Sequence, residues 1–159
     1  MKLSKRDQYM LYTTNSAAET EAVGKKLARI LDEHNITRAF VAMRGEMGVG
    51  KTAFVRGFAE HFGISGIKSP TYTIVNEHRG KRNIFHFDMY RIESEDDLFS
   101  IGFDDYVARD GFCIAEWSEN VSDLLPEDQI IVSISRVAGD TEKREITITT
   151  DGIYENIGI

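Results

Sequence analysis

The 159-residue sequence is poor in several features that mark specialised protein classes. It has one cysteine, Cys113, so it cannot form an internal disulfide or a thiolate metal cluster. It has two prolines and no low-complexity stretch that would indicate a linker between domains. Its longest clean apolar run, residues 39–43, has the length of a strand, whereas a membrane helix needs about 18 apolar residues. These absences argue against a disulfide-rich, a membrane-spanning or a multidomain protein.

An excess of basic residues is also missing. Nineteen Lys and Arg residues stand against 26 Asp and Glu residues, which gives a formal net charge of −7. Nucleic-acid affinity depends mainly on basic groups that neutralise phosphates, so the chain is a poor stand-alone binder of DNA or RNA. If a nucleic acid is involved, we expect another protein to hold it. The N-terminus lacks a signal-peptide core and Cys113 has apolar neighbours, which together favour a buried thiol in the reducing cytoplasm.

What is present is an ordinary globular composition, 42% hydrophobic and 28% charged, over a length that suits one domain. We assign residues 1–150 to a single domain, and residues 151–159 to a tail whose role the sequence does not indicate. Strands alternate with helices early in the chain and hairpins follow later. This order predicts an α/β fold with three P-loop NTPase-like layers: helices flank a mixed sheet, parallel at its centre and antiparallel in its edge hairpins.

Hydrophobic periodicity and turn residues predict the individual elements. Helices are predicted over residues 17–34, after a Ser16 cap, over residues 51–62, before Gly63, and in a short stretch after Ser94. Strands are predicted over residues 9–12, 40–43, 71–78, 83–88, 112–115, 129–136 and 144–150.

The hairpin formed by the third and fourth strands suggests a local cluster. If residues 79–82 form its loop, Thr73 lies opposite Asp88 and Thr71 lies opposite Tyr90. Two hydroxyl groups would then lie beside a carboxylate at one strand end, where they could position an attacking water. Ordinary cross-strand packing of β-formers is the alternative interpretation.

Residues 45–52, Gly-Glu-Met-Gly-Val-Gly-Lys-Thr, match every fixed position of the phosphate-loop motif G-x-x-x-x-G-K-[ST]. A predicted strand ends just before the motif and a predicted helix begins at Lys51, which is the context that the motif requires. Glycines let backbone N–H groups converge on phosphate oxygens, and the helix N-terminus adds further donors. Lys51 would contact the β- and γ-phosphates, and Thr52 would offer its hydroxyl to Mg²⁺.

A site of this kind needs a carboxylate at the end of a neighbouring strand to hold the metal. Asp88 closes one apolar strand and Glu116 closes another, and the residues alone leave both candidates open. The arginines that could neutralise a γ-phosphate are Arg56, Arg79, Arg82 and Arg91. The histidines, which show no spacing typical of a metal site, are His34, His61, His78 and His86.

The loop motif does not identify a reaction, because ATPases, GTPases and kinases share it. The guanine-reading N-K-x-D signature and the transporter-ATPase L-S-G-G-Q signature are both missing. A small ATPase and a small-molecule kinase remain. A third possibility is an ATP-gated binding module with negligible hydrolysis.

Four motifs in fixed order resemble the TsaE family, also called YjeE. They are the phosphate loop, Ser69-Pro70-Thr71-Tyr72-Thr73, His86-Phe87-Asp88-Met89-Tyr90-Arg91, and Glu116-Trp117. The resemblance runs from about Thr13 to Thr150. It implies a small bacterial ATPase, dependent on Mg²⁺ and slow without its partners. Such a protein would act with the TsaD and TsaB proteins in making threonylcarbamoyladenosine beside the anticodon of tRNA, and would reach the tRNA only through that complex.

The resemblance also implies roles for single residues. Asp88 would lie beside the γ-phosphate, Thr71 would belong to a loop that responds to nucleotide, and Trp117 would lie next to the site. Thr52 and Glu116 would hold Mg²⁺. The catalytic set would therefore be Asp88, Glu116, Lys51 and Thr71. The nucleotide-binding segment would be Met47, Gly48, Val49, Gly50, Lys51, Thr52 and Ala53, of which Met47, Val49 and Ala53 depart from the residues usual in the family.

Overall fold

The computed structural model describes residues 9–68 and 74–150, which form a seven-stranded sheet with helices on both faces. The strands of this described part are β1 (Tyr9–Thr14), β2 (Arg38–Arg44), β3 (Val75–His78), β4 (Ile84–Asp88), β5 (Gly111–Glu116), β6 (Ile130–Arg136) and β7 (Arg144–Thr150). Its helices are α1 (Ala17–Glu33), α2 (Lys51–His61), α3 (Glu95–Ser100), α4 (Phe103–Ala108) and a 3₁₀ helix (Ser118–Leu124).

The strand order is β1-β7-β6-β2-β5-β4-β3. Strands β6, β2, β5 and β4 are parallel, whereas β1, β7 and β3 are attached antiparallel at the two sides. The predicted α/β class, with a parallel centre and antiparallel edge hairpins, is confirmed. Because parallel strands all end at the same edge of a sheet, the residues that follow β2, β4 and β5 meet there.

Two hydrophobic cores lie on the two faces of the sheet. Helices α1 and α2 cover one face, where Phe58 packs edge-on against Phe112 with ring centroids 5.3 Å apart. Helices α3 and α4 and the 3₁₀ helix cover the other face, where Phe103 packs against Phe87 at 5.6 Å. Side chains alternate between these faces along each strand, so every second residue of β4 and β5 faces α2.

Helices α1 and α2 cross with their backbones in contact. A Cβ atom on Gly24 would lie 2.1 Å from the carbonyl oxygen of Phe54, and one on Gly57 would lie 1.8 Å from that of Glu21. No side chain larger than hydrogen fits at either position without moving a helix. The crossing therefore fixes the position of α2, which begins at the glycine-rich motif.

The predicted helix boundaries are confirmed within a residue at most ends. Ser16 accepts a hydrogen bond from the backbone N–H of Glu19 at 3.1 Å, and Ser94 accepts one from Asp97 at 3.2 Å, so both caps form as predicted. Gly63 has a φ of 77° and follows the end of α2, as predicted. Helix α4 and the 3₁₀ helix were not predicted, because each is too short to show a hydrophobic period.

The predicted register of the β3–β4 hairpin is wrong by one residue. His78 pairs with Ile84, and not with Asn83, so the connecting loop comprises residues 79–83 rather than 79–82. The loop is held from outside the hairpin, because the N–H of Lys81 donates to the carbonyl of Phe62 at 3.0 Å and Gly80 packs against the same carbonyl. A tight hairpin turn is therefore replaced by a longer loop.

The corrected register changes the neighbourhood of Asp88. Its backbone N–H donates to the carbonyl of Ile74 at 2.8 Å, so Ile74, and not Thr73, lies opposite Asp88. Thr73 and Thr71 themselves lie outside the described residues, and so does the tail, residues 151–159. The roles predicted for Thr71 and for a hydroxyl cluster stay predictions.

All helices of the two described segments are too short or too polar to cross a lipid bilayer.

Cys113 is expected to be nearly inert in the native protein. Its side chain is 3% exposed in β5, and burial raises the pKa of the thiol to about 12. At pH 8 the thiolate fraction is then roughly a thousandfold smaller than for an unperturbed thiol, and only the thiolate reacts. We expect Ellman's reagent to label the native protein at least ~100-fold more slowly than the urea-unfolded chain.

The same shift affects stability. The pKa of the Cys113 thiol is higher in the folded than in the unfolded state, so its ionisation should lower the free energy of unfolding only as the pH rises above the unfolded-state pKa.

Equal labelling rates in the presence and absence of urea would contradict this expectation. A Cys113→Ser variant is the control, because it removes the only thiol of the chain.

Candidate functional site

A glycine-rich loop, residues 45–50, joins the end of the central strand β2 to the start of α2. A Cβ atom on Gly45 would lie 2.6 Å from the carbonyl oxygen of Ile134, so only glycine allows the chain to leave the sheet here. Gly50 has a φ of 119°, in the left-handed region, and offers no side-chain cap to α2. The N–H groups in the first turn of α2 therefore have no capping side chain from Gly50. They lie next to the loop, at the positive end of the helix dipole.

Lys51 is the first residue of α2 and is 6% exposed. Its Nζ donates to the carbonyl oxygen of Gly45 at 2.7 Å and lies 4.0 Å from the centre of the Trp117 ring. A buried ammonium is costly without partners, and these two contacts supply them. The side chain thus carries a positive charge back over the start of the loop.

Two arginines that sequence reasoning missed support the loop from the β6–β7 hairpin. Arg144 donates through Nε to the carbonyl of Val49 at 2.8 Å. Arg136 pairs with Glu46 at 3.3 Å and donates to the carbonyl of Met47 at 3.4 Å. These contacts turn loop carbonyl groups towards the hairpin. The arginines lie 89 to 95 residues from their loop partners in sequence and so gave no local signal.

The two carboxylates that the sequence left open lie side by side. Asp88, at the end of β4, is directly opposite Glu116, at the end of β5, in the parallel ladder. Both face α2, because Ile84 and Phe112, which are an even number of residues away, belong to the core on that side. The structure therefore brings both candidates to the same edge as the glycine-rich loop.

Asp88 and Glu116 differ in their surroundings. Asp88 is half-buried, and its Oδ1 accepts the N–H of Tyr90 at 2.9 Å. The Glu116 side chain is 8% exposed, and its Oε2 lies 2.6 Å from Nε2 of His86, which is fully buried. His86 is two residues before Asp88 and shares its face of the sheet. The sequence offered no sign of this contact, because the partners are 30 residues apart.

Trp117 directly follows β5 and has a left-handed conformation, with a φ of 59°. A non-glycine residue in this region costs about 1–3 kcal/mol, which the surrounding contacts must offset. Its ring packs on Lys51 and, edge-on at 5.3 Å, on Tyr90, and the next residue, Ser118, donates its hydroxyl to the carbonyl of Met43 at 3.1 Å. Trp117 therefore lies next to the site, as the resemblance implied.

Most of the arginines that the sequence suggested as partners of a γ-phosphate lie away from the glycine-rich loop and the two carboxylates. Arg56 pairs with Glu21 of α1 at 3.0 Å. Arg79 and Arg82 lie in the loop that precedes β4, whereas Asp88 ends that strand, so they are at the opposite edge of the sheet. Only Arg91, exposed and three residues after Asp88, lies near the carboxylates in the chain.

The residues present at this edge fit a phosphate group together with a divalent cation. The start of α2 and the ammonium of Lys51 supply N–H donors and positive charge. Thr52 and the carboxylates of Asp88 and Glu116 supply oxygen ligands, which Mg²⁺ prefers. Of the remaining predicted contacts, Met47 is 77% exposed, whereas the side chains of Val49 and Ala53 are 2% and 8% exposed, so these two offer mainly their backbone.

Comparisons of the sequence and of the structure with known proteins all point to the same protein family. A family model described as "Threonylcarbamoyl adenosine biosynthesis protein TsaE" matches residues 14–146. A protein named tRNA threonylcarbamoyladenosine biosynthesis protein TsaE from Bacillus subtilis is 37% identical over 143 residues, covering 89% of this chain and 85% of its own. Its namesake from Treponema pallidum is 37% identical over 87% of this chain and 99% of its own. The crystal structure of Bacillus subtilis YdiB superposes with a TM-score of 0.75 at 31% identity, covering 92% of this chain and 88% of that one.

Proposed function

Because the chain belongs to the TsaE family of tRNA threonylcarbamoyladenosine biosynthesis proteins, we propose that it binds ATP with Mg²⁺ at the glycine-rich loop and hydrolyses it to ADP and phosphate. The TsaD and TsaB proteins are its proposed partners in this pathway. A single observation supports the ATPase proposal above all others. The glycine-rich loop, which leads into Lys51, meets the ends of β4 and β5, which carry Asp88 and Glu116, at one edge of the sheet.

The proposed roles follow from the chemistry of these groups. The N–H groups at the start of α2 and the Lys51 ammonium bind the β- and γ-phosphates. Thr52 and Glu116 are the proposed ligands of Mg²⁺, which when bound neutralises charge on the phosphate oxygens. Glu116 is preferred to Asp88 as the ligand because it is the more buried and more firmly held carboxylate. Asp88 is then available to orient the attacking water beside the γ-phosphate.

The charge of the chain supports an indirect contact with RNA. A protein with a net charge of −7 gains little from the phosphate backbone of tRNA. We propose that the tRNA is held by the partner proteins, and that this chain supplies them with the free energy of ATP binding and hydrolysis.

Co-purification with TsaD and TsaB, with and without ATP, followed by a phosphate-release assay on the complex, tests the proposal. We expect complex formation to depend on ATP, and turnover in the complex to exceed that of the isolated chain. The Lys51→Ala variant is the matched negative control for phosphate release.

Two results would contradict the proposal. Transfer of phosphate from ATP to a metabolite, rather than to water, would identify a kinase. Turnover that stays negligible with both partners present would identify a nucleotide-gated binding module.

A further inference from the structure

The buried carboxylate of Glu116 has an unusual support. An ionised carboxylate that is almost removed from water is costly unless hydrogen bonds compensate it. Within the described residues, its side-chain partner is the imidazole of His86, with Nε2 2.6 Å from Oε2. One carboxylate oxygen is thus engaged by the protein, and Oε1 is not part of this contact.

The imidazole is held more rigidly than the carboxylate that it contacts. His86 is in the middle of β4, between Asn76 of β3 and Ile114 of β5, and it is 0% exposed. The backbone of His86 is fixed by these two neighbouring strands, and its buried ring stands on the sheet face covered by α2, where a change of rotamer would displace packed neighbours. The carboxylate of Glu116, at the end of its strand, therefore takes its orientation from the ring.

The hydrogen-bond pattern assigns the tautomer of His86. Its Nδ1 is buried and has no hydrogen-bond partner in the described part of the chain. An unpaired N–H would be more costly there than an unpaired lone pair, so the proton is placed on Nε2. The Nε2–H group then donates to the carboxylate of Glu116.

We propose that His86 is a positioning residue: it holds Glu116 through Oε2 and leaves Oε1 for the divalent cation. The inference rests on the proposed function, in which Glu116 is a ligand of Mg²⁺. A hydrogen-bond partner behind a metal ligand typically contributes 10- to 100-fold to metal affinity. The effect of His86 should therefore appear in the response to Mg²⁺ and not in the binding of ATP alone.

The variants His86→Gln and His86→Asn both keep a polar N–H donor at this residue, but they place it at different distances from the backbone. The amide nitrogen of glutamine reaches about as far as Nε2 of histidine, whereas that of asparagine reaches only as far as Nδ1. We expect His86→Asn to weaken the Mg²⁺-dependent gain in ATP affinity, measured by calorimetry with Mg²⁺ and with EDTA, at least about tenfold. His86→Gln should stay within about threefold of the wild type, and both variants should bind ATP normally in EDTA.

Phe87→Leu is the matched control, because Phe87 is the next residue of β4, fully buried, and faces the opposite core. It should leave the response to Mg²⁺ unchanged even if it lowers stability. If His86→Asn does not fold, as judged by circular dichroism, His86→Leu takes its place. Equal Mg²⁺ responses of the glutamine and asparagine variants would overturn the proposal, and so would loss of folding in all His86 variants, which would make the role structural.

Glu116→Gln distinguishes this inference from the proposed function on which it rests. If this variant keeps the wild-type response to Mg²⁺, Glu116 is not a ligand and the proposed function fails at that point. If Glu116→Gln loses the response while His86→Asn keeps it, only the positioning role of His86 is wrong.

Discussion

Replacement of Lys51 by alanine is expected to weaken ATP binding at least ~100-fold, or by about 2.8 kcal/mol. The Lys51 ammonium contacts the loop directly, because its Nζ donates a hydrogen bond to the carbonyl oxygen of Gly45 at 2.7 Å. Alanine removes that charge and also releases the contact that ties the start of α2 to the start of the loop. Calorimetric titration with ATP and Mg²⁺ measures the loss directly.

Lys25→Ala is the matched control for Lys51→Ala. Lys25 lies on α1, its side chain is 52% exposed, and it pairs with Glu60 at the surface, so its removal changes the net charge equally without touching the loop. We expect this control to bind ATP as the wild type does. We also expect the Lys51→Arg variant to bind ATP weakly, although it keeps the positive charge. The planar guanidinium is larger than an ammonium and does not act as a compact point charge. ATP affinity unchanged in Lys51→Ala would exclude the loop as the nucleotide site.

Replacement of Glu116 by glutamine is expected to lower Mg²⁺-dependent turnover roughly 100-fold while ATP affinity in EDTA changes less than about threefold. Glutamine keeps the size of the side chain, and its carbonyl oxygen can still accept the hydrogen bond from His86. With the carbonyl oxygen on His86, the amide NH2 group takes the place of Oε1, so the variant removes both the negative charge and the oxygen proposed to face the cation while it keeps the shape of the side chain. Phosphate release from the complex with TsaD and TsaB, at several Mg²⁺ concentrations, is the measurement.

Glu119→Gln serves as the control for Glu116→Gln, because this exposed carboxylate lies in the 3₁₀ helix just after the site. It should turn over ATP at the wild-type rate. Wild-type turnover in Glu116→Gln would transfer the ligand role to Asp88, its neighbour in the ladder.

The features that the sequence predicted well are local. The glycine-rich motif, the caps at Ser16 and Ser94 and the stop at Gly63 each depend on residues within one or two turns of chain, and the structure has the caps and the stop where they were predicted. The parallel centre of the sheet was also predicted from the alternation of strands and helices, because parallel neighbours need a crossover connection and a helix usually provides it.

The features that escaped prediction depend on contacts between distant segments. The loop between β3 and β4 is held by the carbonyl of Phe62, which accepts the N–H of Lys81 and which the hairpin sequence alone does not reveal. His86 reads as an ordinary strand residue until β5 brings Glu116 beside it. Nothing in the sequence around Arg144 distinguishes it from other arginines, because its contact with the carbonyl of Val49 forms only when the β6–β7 hairpin folds against the loop. Sequence reasoning therefore identified the candidate acids but not the groups that hold them.

The position of Trp117 has a practical consequence. It is the single tryptophan of the chain, and the ammonium of Lys51 lies 4.0 Å from its ring. The tryptophan fluorescence of the native protein thus originates from one point beside the start of α2. Any displacement of that ammonium changes the electric field at the indole, so events at the loop can be followed optically in the unlabelled wild-type chain.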